Sequence, residues 1–230
     1  MNNPLIVIGR QFGSGGRRIG KLVAERLGIG YYDTEILAKA AREVGINPEV
    51  FQIHDEKKPS GLRTLLQGLY GLADNFHTVG LSGERIYNEQ GKVIRDICKK
   101  GGCVIVGRTA DLILHDDPRL FSVFLHSPLH VRAEMIHRRG DAATQREAEE
   151  MASREDRRRE AYYNFYRGEK KWGAASTYHL TVDTSHFTHE EVADLIITLA
   201  KKKYKDCQKS GLSRRENGEE SPGNTGHHAS

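Results

Sequence analysis

The residues of this 230-residue chain that are best suited to chemistry form a glycine-rich loop near its start. An apolar run, Leu5–Gly9, leads into the loop, and an amphipathic helix pattern over 16–28 follows it. A strand, a glycine loop and a helix in this order present backbone N–H groups and the positive end of a helix to phosphate. The alternative is a tight turn with solvated arginines. The residues predicted to bind phosphate are Gly13, Ser14, Gly15, Gly16, Arg17 and Arg18.

The loop does not match the Walker pattern G-x-x-x-x-G-K-[ST] literally. If Gly15 is the second glycine of that pattern, Arg10 stands at the first glycine, Gly16 at the lysine and Arg17 at the serine or threonine. Arg17 and Arg18 nevertheless supply fixed positive charge, and guanidinium groups suit the geometry of phosphate.

A dinucleotide-binding loop is an open alternative. Its pattern G-x-G-x-x-G fails because Gly13-Ser14-Gly15 would require a glycine at 18, where the chain has Arg18. Asp33, however, lies 20 residues after Gly13, where that fold places the acid that binds ribose. On spacing alone, an oxidoreductase that uses a dinucleotide competes with a phosphate-transfer enzyme.

Two further polar residues follow short apolar runs. Asp33 ends the aromatic segment Tyr31-Tyr32 and begins the helical stretch 34–44, so it is either a structural N-cap or a site residue. Arg108 follows Gly107 at the end of a run of β-branched residues. Because parallel sheets bind ligands at the carboxyl ends of their strands, we predict that Arg108 points into the binding crevice.

The elements that must position these residues alternate between strands and helices. The predicted strands are 5–9, 30–33, 103–106, 120–125 and 178–182. The predicted helices are 16–28, 34–44, 83–100, 129–139, 144–167 and 188–203. This alternation predicts an α/β fold with a parallel five-stranded sheet covered by helices on both faces.

The domain organisation follows from composition. We predict one domain over 1–203, with a helical insert at about 46–80 and a charged lid at about 140–173. The tail, 204–230, is rich in Gly, Ser, Glu and Asn, and we predict that it is disordered. Aromatic residues of the lid are predicted to pack it against the core; they are Tyr162, Tyr163, Phe165, Tyr166 and Trp172.

Charge and cysteine content narrow the function classes. Residues 201–230 carry seven Lys or Arg and four Asp or Glu, which accounts for +3 of the net charge of +4. The basic character therefore belongs to the tail and gives little support for nucleic-acid binding. No apolar run reaches the ~18 residues of a membrane span. Three cysteines without C-x-x-C spacing favour a reducing cytoplasm.

Taken together, these motifs resemble the cytidylate kinase-like family of P-loop nucleoside monophosphate kinases. The resemblance covers about 4–200 and rests on combined motifs: Ile6-x-Ile8-x-Arg10-x-x-Gly13-Ser14-Gly15-Gly16-Arg17-x-Ile19-Gly20, Tyr31-Tyr32-Asp33, Val104-Ile105-Val106-Gly107-Arg108-x-Ala110-Asp111, a Tyr-rich segment at 162–172, and Tyr178-x-Leu180 with Asp183-Thr184-Ser185.

The resemblance implies roles for individual residues. The loop would hold the β-phosphate of ATP, with Arg17 supplying charge and Ser14, the loop's hydroxyl, as a metal ligand. Asp33 and Lys39, six residues later, would contact the acceptor nucleotide together with Arg108.

Asp111 would replace the base-reading acid that cytidylate kinases carry at the position of Thr109. The motif Asp156-x-x-Arg159 matches the lid motif of these kinases, with Arg158 as a helper. Without the resemblance, this charge run is simply the solvated face of a helix.

The resulting expectation is a cytoplasmic kinase, monomeric or homodimeric, that uses ATP and Mg²⁺ to phosphorylate a nucleoside monophosphate, with CMP or dCMP as the favoured acceptor. Its partners are nucleotide substrates rather than nucleic acids or membranes. Two alternatives stay open: a nucleotide-binding regulatory relative that has lost catalysis, and the dinucleotide-dependent oxidoreductase.

Overall fold

Five parallel strands form the central sheet of the computed structural model, which describes residues 3–43, 45–46, 83–166 and 169–216. The strands pair in the order β2-β3-β1-β4-β5. They are β1 (Leu5–Arg10), β2 (Gly30–Tyr32), β3 (Cys103–Val106), β4 (Leu120–His126) and β5 (Leu180–Asp183). The central strand β1 sets the register, with Leu5 opposite both Cys103 and Leu120.

Helices connect and cover these strands. They are α1 (Gly16–Leu27), α2 (Thr34–Glu43), α3 (Gly83–Lys100), α4 (Ala110–Ile113), α5 (Leu129–Arg138), α6 (Gln145–Tyr166) and α7 (His189–Glu216), with a 3₁₀ turn at Ala175–Thr177. The predicted α/β class and its parallel five-stranded sheet are confirmed. Helix α4 was not predicted, because one turn of helix is too short to show a periodic pattern.

The core lies on both faces of the sheet because side chains alternate along β1. Leu5 and Val7 pack on one face with helices α2 and α3, through residues such as Leu37 and Ile94. On the other face, Ile6 and Ile8 pack with α1 and α7, and residues such as Ile19, Val23, Val192 and Ile196 fill that layer. Helix α1 and the loop before it are thereby fixed against a rigid sheet.

Helix α7 differs from the prediction. It continues to Glu216, whereas we predicted a helix over 188–203 and disorder from 204 onward. Extending an existing helix adds one hydrogen bond for each residue fixed, and no proline occurs before Pro222 to stop it. The predicted insert over 46–80 lies outside the described residues except for Ile46, and residues 217–230 lie outside them too. No described helix combines the length and the apolar character of a membrane span.

Candidate active site

The glycine loop joins the end of β1 to the start of α1, where phosphate was expected. Gly13 and Gly15 have φ angles of 87° and 80°, which residues with a Cβ rarely adopt. Gly15 is the N-cap of α1 and offers no side-chain acceptor. The N–H groups of the first helical turn point out of this end of the helix, which is the arrangement that binds anions in other proteins.

The other predicted residues of the loop face different surroundings. The Ser14 hydroxyl donates a hydrogen bond to the Gln11 carbonyl at 2.9 Å, and Ser14 is 3% exposed. Arg17 and Arg18 are exposed on α1, with the Arg18 guanidinium 3.8 Å from Glu190. The structure therefore places two arginines at the rim of the loop and buries its hydroxyl.

Helix α6, which lies within the predicted lid, is attached to the loop through one carboxylate. Asp156 accepts a hydrogen bond from the Phe12 N–H at 2.7 Å and one from Arg132 at 2.8 Å. Arg132 also donates to the Phe12 carbonyl at 2.9 Å. Burial raises the pKa of Asp156, while the Phe12 amide and Arg132 act in the opposite direction. Both carboxylate oxygens are engaged, so Asp156, which we predicted to be catalytic, joins the lid to the loop.

An apolar contact reinforces this attachment. The ring of Phe12 packs against the small cluster between α5 and α6 that includes Ile136 and Ala152. Two guanidinium groups lie over the same ring, that of Arg159 at 5.2 Å and that of Arg139 at 5.7 Å from its centroid. Phe12 therefore positions Arg159 at the loop as well as anchoring the helix that carries it.

A pocket with about 350 Å³ of empty space, part of it open to solvent, lies at the carboxyl ends of β1 and β3. Three arginines from three different elements line it: Arg10 from β1, Arg108 after β3, and Arg159 from α6. One carboxylate and four aromatic side chains also line the pocket and together form what we call the aromatic wall; they belong to Asp111, Tyr162, Tyr163, Trp172 and Tyr178. The pocket combines a cationic side, suited to phosphate, with an aromatic side, suited to a ring.

Arg108 reaches the pocket through an unusual backbone. Gly107, Arg108 and Thr109 have successive φ angles of 81°, 60° and 50°. Arg108 is 2% exposed, and its Nε donates to the Thr34 hydroxyl at 3.2 Å. Left-handed residues other than glycine store strain, which clusters at functional sites. The predicted placement of Arg108 in the crevice agrees with this geometry.

Asp111 is the carboxylate of the aromatic wall. It is 4% exposed, and the Tyr163 hydroxyl donates to its Oδ2 at 2.6 Å. Burial raises the pKa of Asp111, and the hydrogen bond from Tyr163 partly opposes that shift. Next to it, the Tyr162 hydroxyl donates to Gln90 Oε1 at 3.1 Å, so the neighbouring rings are held in fixed positions.

Asp33 has a structural role that the sequence allowed. Its Oδ1 accepts the N–H groups of Glu35 and Ile36 at 3.1 and 3.2 Å, which caps α2. The hydroxyl of Tyr31 lies 3.3 Å from Oδ2, and burial together with the Asp33 charge raises the pKa of Tyr31 to about 12. Lys39, predicted to accompany Asp33, is exposed on α2 and does not line the pocket.

Two residues of the lid also lie outside the pocket. Arg158 pairs with Glu155 at 2.6 Å, on the same helix. Phe165, which we predicted to pack against the core, is 78% exposed, so that prediction was wrong. Trp172 does pack there, edge-on to Phe124 with their ring centroids 5.1 Å apart. About half a turn of helix separates inward from outward positions, and Phe165 lies two residues after the buried Tyr163, beyond the buried stripe.

Sequence reasoning did not identify Phe12, Arg132 or Gln90 as parts of the site. Each of them contacts a residue far away in the chain, such as Asp156 for Phe12 and Tyr162 for Gln90. The sequence carries no local pattern that would have revealed these pairs.

Comparisons with known proteins agree with this architecture. The family model described as "Cytidylate kinase-like family" matches residues 5–186. A cytidylate kinase of Aeropyrum pernix is 28% identical over 192 residues, which covers 83% of this chain and 95% of the relative. A cytidylate kinase of Pyrococcus horikoshii is 25% identical over 193 residues, covering 84% and 85%. The crystal structure of an uncharacterized protein from Eubacterium ventriosum superposes with a TM-score of 0.66 at 28% identity, covering 87% of this chain and 99% of that one.

Proposed function

This chain belongs to the cytidylate kinase-like family, and we propose that it transfers the terminal phosphoryl group of ATP to a nucleoside monophosphate, with CMP or dCMP as the preferred acceptor. The family supports a kinase that uses ATP.

The observation that carries this proposal is the convergence of three guanidinium groups beside the glycine loop. Arg10, Arg108 and Arg159 come from separate elements and line one pocket. Phosphoryl transfer requires two nucleotides held in line while cationic groups neutralise the charge of the migrating group. Guanidinium groups form charge-assisted, often bidentate hydrogen bonds with phosphate oxygens, so a pocket lined by three of them favours phosphate over a neutral ligand.

The lid contributes one of these arginines. Arg159 Nη1 donates to the Arg10 carbonyl at 3.2 Å, at the point where β1 enters the loop. The attachment of α6 through Asp156 keeps Arg159 near that point. We infer that Arg159 stabilises the transferring phosphoryl group and that α6 excludes water from it.

Kinases of this kind usually work with Mg²⁺, which neutralises phosphate charge. Within the described residues, no group of three or more His, Cys, Asp or Glu side chains could hold a metal ion. Ser14, the proposed ligand, is buried and donates to Gln11. The residues present do not form a dedicated cage, and this fits an ion held mainly by phosphates and water.

The aromatic wall supports a base-binding role. A ring stacked near Tyr163 would lie within reach of Asp111, whose carboxylate can accept a hydrogen bond from an exocyclic amine. Cytosine has such an amine and uracil does not. The proposed preference for CMP or dCMP over UMP depends on this carboxylate.

A coupled assay of ATP with each common nucleoside monophosphate tests the function. We expect turnover with CMP or dCMP above all others, loss of activity with every acceptor in Arg108→Ala, and a smaller preference for CMP over UMP in Asp111→Asn. Asp116→Asn is the matched control, because Asp116 is 89% exposed. Absence of turnover with all acceptors contradicts the function, whereas equal rates with CMP and UMP contradict the role of Asp111 alone.

A further inference from the structure

Gly16 occupies the position at which an ordinary phosphate loop carries its lysine, and the structure shows why no side chain is present there. A Cβ atom added to Gly16 would lie 2.9 Å from Cγ and 3.0 Å from Cβ of Arg10. Gly16 lies within α1 and is not among the residues with positive φ, so its backbone would accept a side chain. The obstacle is the side chain of Arg10.

The far end of the same arginine lies against a second glycine, Gly107, whose φ of 81° already disfavours any other residue. A Cβ atom added to Gly107 would lie 2.0 Å from Nη1 of Arg10, which is far inside contact distance. The stem of Arg10 therefore passes the first residue of α1, and its guanidinium lies against the backbone that follows β3. Gly16 and Gly107 are 91 positions apart in the sequence, and both leave room for the side chain of Arg10.

Arg10 also has the location that a phosphate-binding cation needs. It is 7% exposed, it is the last residue of β1 before the glycine loop, and it lines the pocket together with Arg108 and Arg159. Arg17, in contrast, is exposed on α1 and does not line that pocket. Of the two, Arg10 alone lies both beside the first turn of α1 and in the pocket.

We propose that Arg10 takes the place of the missing loop lysine and binds the ATP phosphates at the boundary between the glycine loop and the acceptor pocket. In this chain the positive charge is carried by the last residue of β1 and not by the first turn of α1. The position of the usual lysine is a glycine, which leaves room for the Arg10 side chain. Because a guanidinium is planar and permanently charged, it can bind two phosphate oxygens at once through two parallel hydrogen bonds. The ammonium of a lysine instead acts as a point charge. This assignment rests on the proposed function for its substrate, ATP.

The test removes the charge at position 10 and restores a lysine at position 16. Arg10→Met keeps most of the stem and removes the charge; we expect ATP affinity about tenfold weaker by calorimetry and kcat about 100-fold lower. Gly16→Lys alone is expected to disturb the loop, because the new side chain meets Arg10. The double variant Arg10→Ala/Gly16→Lys has a lysine in the usual place and room for it, and we expect it to bind ATP at least tenfold more tightly than Arg10→Ala.

Controls separate this proposal from the function itself. Arg146→Met is the matched control, since the Arg146 side chain is 89% exposed and pairs with Glu150 on the surface of α6. If the wild-type protein binds ATP but phosphorylates no nucleoside monophosphate, the proposed function is contradicted. The role of Arg10 can still be tested in that case by measuring ATP affinity. The Arg10 proposal is overturned if Arg10→Met binds ATP like Arg146→Met. If Arg10→Met does not fold, the Arg10 proposal is overturned by a double variant that folds and does not bind ATP.

Discussion

Gly15 offers a quantitative test of how the glycine loop is held in place. Its φ of 80° lies in the left-handed region, and a Cβ atom added to it would lie 2.4 Å from Nε2 of His189 at the start of α7. Gly15→Ala therefore carries two separate costs. The backbone cost for alanine in the left-handed region is about 1–2 kcal/mol, and displacing the His189 ring from its rotamer costs about 0.5–1.5 kcal/mol.

A second glycine isolates the backbone cost. Gly28, the C-cap of α1, has a φ of 62°, and nothing lies within 4 Å of a Cβ atom added to it. Gly28→Ala should lower the free energy of unfolding by about 1–2 kcal/mol, and Gly15→Ala, which carries both costs, by about 1.5–3.5 kcal/mol. The entropy that alanine removes from the unfolded chain is the same in both variants, so it cancels in the difference.

Urea unfolding followed by circular dichroism measures these values, and His189→Ala completes a double-mutant cycle with Gly15→Ala. We expect a favourable coupling of about 1 kcal/mol, because removal of the ring relieves the contact and leaves the backbone cost unchanged. Equal destabilisation by Gly15→Ala and Gly28→Ala, or a coupling of zero, would refute the packing of α7 against the loop.

Three further outcomes follow from the site. Arg159→Ala should lower kcat far more than it raises the acceptor KM, because the contact forms mainly in the transition state; steady-state kinetics that show a normal kcat would contradict the role of Arg159. Burial raises the pKa of Asp111 above its value in the unfolded chain, so the free energy of unfolding of the wild-type protein should fall as pH rises from about 4 through the raised pKa. Asp111→Asn should remove this contribution to the pH dependence of stability, and parallel curves of stability against pH for the two proteins would contradict it. Phe12→Ala should cost about 3 kcal/mol and loosen α6, which hydrogen exchange of the α6 amides would report; unchanged protection would contradict the anchor.

Local patterns were enough to predict most of the fold. The strand Cys103–Val106 and the helix Gly83–Lys100 have the predicted bounds, since apolar runs and periodic stripes are encoded by neighbouring residues. The end of α7 was not predicted, because helix propagation depends on the helix that precedes it. The direction of Lys39 was not predictable either, since an offset of six residues from Asp33 does not fix which face of α2 meets the pocket.

The site was predictable in part for the same reason. Arg108 follows a strand directly, and strand ends meet at one edge of a parallel sheet, so its location could be derived. Arg10 was visible only as a departure from a glycine pattern. Its proposed role is argued from Gly16 and Gly107 together, and the approach of both to one side chain exists only after the sheet has formed.

The left-handed run at Gly107, Arg108 and Thr109 bears on any attempt to engineer this protein. Thr109 is 5% exposed and holds its conformation with a hydroxyl that donates to the Arg108 carbonyl at 2.6 Å. A library selected for heat resistance alone would favour glycine there, since glycine removes about 1 kcal/mol of backbone strain. The same change would make the segment that positions Arg108 more flexible. We expect the selected proteins to be more thermostable and less active.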